Sequence, residues 1–174
     1  MLTRLPIIAT LATLAVADPF SIYWTIPTNS SDGRTMASVK MFANQPNCPE
    51  FKNAMPLMFN LLGSKDVSDS TGGGYLCDGC DPELDWTRWN PTRVQLNDHS
   101  RQIFSAAPYY ITLYRNEDAT YTVKDTDNVV RGSCVRATDG QLLACYDKNE
   151  YMGLEAFNCQ SPDITLLPPV APTK

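Results

Sequence analysis

Six cysteines constrain this chain more than any other feature. Cys48, Cys77, Cys80, Cys134, Cys145 and Cys159 all follow an N-terminal segment with the layout of a secretory signal. Arg4 supplies the positive start, residues 5–14 the short apolar stretch, and Ala15-Val16-Ala17 an A-x-A cleavage site. The apolar run falls short of the roughly 20 residues that span a bilayer. Export puts the thiols in an oxidising compartment. The expectation is a secreted, extracellular domain stapled by up to three disulfides.

Cleavage after the first 17 of 174 residues leaves 157, one ordinary domain. A chain of that size buries about two-thirds of its unfolded surface, so the disulfides reinforce a real core rather than replace it. Losing Arg4 with the leader takes the formal charge from −5 to −6. No basic run offers a phosphate backbone or an anionic membrane a cationic surface. Neither nucleic acid nor a membrane anchor is expected. The reading divides the chain into a signal at 1–17, a single β-rich domain at 18–160 and a Pro-rich tail at 161–174.

Alternation of apolar and polar residues predicts strands at 20–26, 36–42, 92–96, 109–114, 120–124, 128–137, 141–146 and 151–157. Residues 115–119 read as a hairpin loop, and Asp139-Gly140 as a two-residue hairpin turn. Spacings of three and four among Phe51, Ala54, Met55, Met58, Leu61 and Leu62 predict one short helix within 50–62, starting near Pro56. Residues 64–90 read as loop, with Thr71-Gly72-Gly73-Gly74 too flexible for regular structure. The fold class expected is mainly β: an antiparallel β-sandwich or barrel with one short helix. Asn29-Ser30-Ser31 is the sole N-x-[ST] sequon, so Asn29 is the expected glycosylation site.

Counting outward from Asp139-Gly140 puts Cys134 opposite Cys145, within disulfide reach, although either could meet Cys159 from an adjoining strand. The expectation is two bonds among or including Cys134, Cys145 and Cys159, with Cys48 tied to the Cys77/Cys80 region. Cys77-x-x-Cys80 precedes Asp81, Glu83 and Asp85, whose charges oppose a reactive thiolate. Zinc needs four ligands and the chain has one histidine, so structural bonding is expected and no metal or cofactor.

That histidine, His99 in Asn97-Asp98-His99-Ser100, is the one candidate for nucleophilic catalysis, and no G-x-S-x-G elbow accompanies it. Asp81, Glu83, Asp85, Glu117, Asp118, Asp125 and Asp127 supply carboxylates for glycoside hydrolysis, yet no spacing marks a pair. The acidic clusters at 78–85 and 125–128 match no calcium loop. Trp86, Trp89 and Tyr109 are the candidate binding residues, since aromatics offer large rigid contact area with a polar handle. The competing reading plugs Trp86 and Trp89 into one end of the β core.

The mature opening Phe20-Ser21-Ile22-Tyr23, the series Gly132-Ser133-Cys134-Val135, Cys145, and Phe157-Asn158-Cys159 resemble in style the small secreted cysteine-containing proteins of filamentous ascomycete fungi. Many of those are candidate effectors. The resemblance implies action by binding, in the host apoplast or inside host cells, and transfers no catalytic residue. The function expected is a secreted, non-enzymatic recognition protein, a candidate virulence effector for a host protein or cell-wall glycan. Two alternatives stand beside it: a small secreted hydrolase using His99 with an acidic partner, and a structural wall or matrix component.

Overall fold

The structure, a computed structural model, describes residues 18–27, 38–58, 73–80, 88–138, 140, 142–145 and 151–168. The signal segment, Asn29 and Trp86 lie outside the described residues. In chain order the elements are β1 (Asp18–Pro27), β2 (Ser38–Phe42), α1 (Cys48–Asn53), β3 (Leu57–Met58), β4 (Gly74–Asp78) and β5 (Arg93–Asn97). They continue with β6 (Tyr110–Arg115), β7 (Tyr121–Lys124), β8 (Val130–Arg136), β9 (Leu142–Cys145) and β10 (Tyr151–Ser161).

The strands form one antiparallel sheet in the order β3-β2-β1-β10-β8-β7-β6-β5-β4, with β9 also on β10. Its two ends, β3 and β4, touch, so the sheet curls nearly into a barrel. Period-two alternation fills the interior. Phe20, Ile22 and Trp24 point in from β1, Val94 and Leu96 from β5, Ile111 and Leu113 from β6, Tyr121 and Val123 from β7. Each such side chain contributes about 1.5–3 kcal/mol by leaving water. Trp24 is the hub, with Tyr75, Trp89 and Phe157 at ring-centroid distances of 5.4, 5.3 and 6.3 Å.

A second, smaller core lies outside the barrel. The helix α1 packs Phe51 against Tyr23 and Phe42, whose side chains leave the outer face of β1 and β2. Gly153 of β10 is what admits the ring: a Cβ there would overlap Phe51. Lys40, buried on the same face, donates to the Phe51 and Lys52 carbonyls at the end of α1. The bond Cys48–Cys145 ties the start of the helix to β9.

Three expectations about individual elements are corrected. The helix occupies Cys48–Asn53 rather than a segment starting near Pro56. Asn47 and Glu50 close a reciprocal capping box with Pro49 in the first turn, and Pro56 lies beyond the end. The stretch 64–90 is not all loop, because Gly74–Asp78 pairs with β5 as β4. Nor do β8 and β9 form a hairpin around Asp139-Gly140. They lie end to end along β10, and Gly140 passes so close to the Glu155 carbonyl that no Cβ would fit.

Of the disulfide expectations, the tie of Cys48 to the Cys77/Cys80 region is the one that fails. Cys134 bonds Cys159, directly opposed across β8 and β10 with Cα atoms 4.0 Å apart, and not Cys145. Cys145 bonds Cys48, and Cys77 closes on Cys80 within one turn. The folded body also runs past residue 160. Ile164 is buried in the core, and Leu166 bridges Phe104.

Candidate functional site

A short loop is the key to the candidate site, and one buried carboxylate organises it. Asp98 has no exposed surface. Its Oδ1 accepts from Ser100 Oγ at 3.1 Å and Gln102 N–H at 3.0 Å. Its Oδ2 accepts from the N–H groups of Ile103 and Phe104 at 2.7 and 2.8 Å. Charge-assisted bonds to backbone are among the stronger local restraints a loop can carry. They turn the chain tightly enough that Arg101 adopts φ 55°, the left-handed region that a branched or long side chain rarely visits. The Arg101 N–H closes the turn on the Asp98 carbonyl at 2.9 Å.

The loop is also tied down from outside. Ser105 N–H donates to the Thr165 carbonyl at 2.8 Å, and Leu167 N–H to the Ile103 carbonyl at 2.7 Å. The chain's closing segment is thereby laid alongside the loop. Between them and the end of α1 runs a groove of about 640 Å³, floored by Met41 of β2. Asn53, Ala54 and Met55 line it from the end of α1, and Gln102, Ile103, Leu167 and Pro168 from the loop and the closing segment. Met55 is 48% exposed and Leu167 40%. Apolar side chains held open to solvent around one concavity mark a contact surface, and methionine adapts its shape to what it meets.

Among the described residues, Arg101 is the only charged one lining this groove. Its guanidinium carbon lies 4.7 Å above the centroid of the Tyr109 ring. Such stacking fixes the guanidinium plane while leaving its N–H edges free to donate. Among the described residues no carboxylate pairs with it.

Of the residues singled out by sequence, Tyr109 reaches the site, as the half-buried platform beneath Arg101. Trp89 does not: it is 5% exposed and packs edge-on to Trp24, so the core-plug reading holds for it. Trp86 lies outside the described residues. His99 is exposed at the loop's start. No hydrogen bond or ion pair joins it to a carboxylate among the described residues, and its neighbour Asp98 is committed to backbone N–H groups. Among the described residues no group of three or more His, Cys, Asp or Glu side chains converges as a metal site.

Sequence reasoning missed Asp98, Arg101, Met55 and Leu167. The Asn47-Cys48-Pro49-Glu50 signature could have placed the helix end, and with it Met55. Nothing local marks the others, because segments distant in sequence build the groove. Compared with protein-family models, with curated proteins and with solved structures, the chain finds no match.

Proposed function

We propose that this protein is a secreted recognition protein that binds an extended apolar segment of a partner protein in the groove between α1, the 98–104 loop and residues 167–168. The observation that carries the reading is the pair of exposed apolar side chains, Met55 and Leu167, lining a concavity whose surrounding segments are held by Asp98 and by Cys48–Cys145. Three disulfides on a domain with its own core support export to an oxidising compartment. A host protein, as the resemblance to ascomycete effectors implies, is the partner class proposed. A glycan is less well served. Sugar rings stack on bare aromatic faces. Among the described residues the exposed aromatic is Tyr114, and Lys124 Nζ already sits over its ring at 5.6 Å. Among the described residues no hydrogen bond or ion pair joins His99 to a carboxylate, so the hydrolase reading gains no support.

The test is a displayed library of random peptides panned on the mature protein and, in parallel, on the Met55→Lys/Leu167→Lys variant. Both positions are exposed, so folding is retained. Apolar peptides enriched on the parent and absent from the variant are the expected result. Equal enrichment on both proteins, or none on either, contradicts the reading.

A further inference from the structure

We infer that the groove selects apolar peptide segments that carry a carboxylate, with Arg101 as the specificity-determining residue. This rests on the groove reading above and adds to it the chemistry of the ligand. Four independent features converge on Arg101. Among the described residues it is the only charged group lining the groove. Its side chain is exposed and, among the described residues, meets no acidic partner. Its plane is held against Tyr109. Its backbone is kept in the left-handed region by the buried Asp98 hydrogen bonds. A non-glycine residue persists there only when its surroundings over-determine it, and such positions cluster where a side chain must be aimed.

The rest of the lining decides between two carboxylate-bearing apolar ligands, a peptide and a fatty acid. The groove is open, with half of Met55 in water, whereas small-molecule sites enclose about 70–90% of their ligand. Asn53 and Gln102 also line the groove and carry side-chain amides. Amides can satisfy the N–H and C=O groups of a peptide backbone, and an acyl chain has none to satisfy. The guanidinium then pairs with a Glu or Asp side chain or with a terminal carboxylate.

The probes are pairs of short synthetic peptides rich in Leu and Met that differ only by Glu or Gln at one position. For the mature protein at low salt, the Glu peptide is expected to bind about fivefold more tightly than its Gln twin, the gain of a partly exposed ion pair. Added salt shrinks the difference. Arg101→Gln erases the preference, so that the Glu and Gln peptides bind it alike. Arg101→Glu reverses it toward a Lys-bearing peptide, which keeps the test decisive if either variant loosens the loop. Equal binding of the two peptides by the parent, or a preference that survives Arg101→Gln, overturns the inference while leaving the groove intact. Failure of both peptides to bind the parent removes the groove reading as well. Palmitate binding that depends on Arg101 in the absence of peptide binding assigns the groove to a lipid and also overturns it.

Discussion

At the scale of single residues, Asp98 is the side chain on which the site depends. Asp98→Asn exchanges an acceptor oxygen for a donor and leaves buried N–H groups facing it. The expected cost is about 3 kcal/mol, read from urea unfolding, together with loss of peptide binding in the fraction that remains folded. His99→Ala, one residue along, should change stability by less than about 0.5 kcal/mol, as exposed substitutions do, and leave binding untouched. A loss of binding with retained folding would return His99 to the site. Lys40 contributes a pH dependence of its own. Burial lowers its pKa from 10.5 to about 8, so between those values the unfolded chain holds a proton that the folded one has lost. Stability therefore rises with pH across that window. Tyr23 acts in the opposite sense. Burial first, and the charge of Glu155 second, raise it from 10.0 to about 12, and its contribution is lost as pH climbs past 10. Stability should peak near pH 9–10, and Lys40→Met should flatten the rise above pH 8 without removing the fall above pH 10. Neither Asp98 nor Lys40 was legible in the sequence, because each acts on backbone groups that only the fold brings within reach.

At the scale of elements, the strands were the legible part. Val94-Gln95-Leu96, Ile111-Thr112-Leu113 and Tyr121-Thr122-Val123 alternate as a half-buried strand must, and β5, β6 and β7 appear where that alternation lies. Alternation failed where glycine served close approach rather than a turn. Asp139-Gly140 carries a strong hairpin signature, yet Gly140 is needed against the Glu155 carbonyl, and β10 supplies the partner for both flanking strands. The helix was misplaced for a related reason: its apolar spacing continued past Pro56, whereas its capping residues lay upstream at Asn47 and Glu50. Gly153 tests how α1 docks. Gly153→Val would displace the Phe51 ring, cost upwards of about 2 kcal/mol and free one wall of the groove, seen as faster hydrogen exchange confined to α1.

At the scale of the whole molecule, the three disulfides divide their labour by the length of chain they close. Their sequence separations are 97 for Cys48–Cys145, 25 for Cys134–Cys159 and 3 for Cys77–Cys80. Chain entropy then assigns them about 4.7, 3.5 and 2 kcal/mol respectively. Replacing Cys48 and Cys145 by Ser should lower the unfolding midpoint most and weaken peptide binding, since that bond anchors α1. Replacing Cys77 and Cys80 should lower it least and leave binding alone. An inverted order would contradict the assignment of Cys48–Cys145 as the staple of the groove. Fold class was open to a reading of the strands, but the full disulfide map was not. It follows from β10 lying between β1 and β8, an arrangement that no local pattern encodes. The groove is equally non-local, assembled from β2, the end of α1, the 98–104 loop and the closing segment. Methionines are well placed to report on it. Met41 floors the groove and Met55 walls it, while Met152 of β10 lies outside its lining. The most direct measurement is methyl NMR of the methionine-labelled mature protein titrated with a Glu-bearing apolar peptide. The account predicts saturable shifts at Met41 and Met55 with Met152 unmoved; shifts at Met152 alone, or none at Met41 and Met55 under saturating peptide, would contradict it.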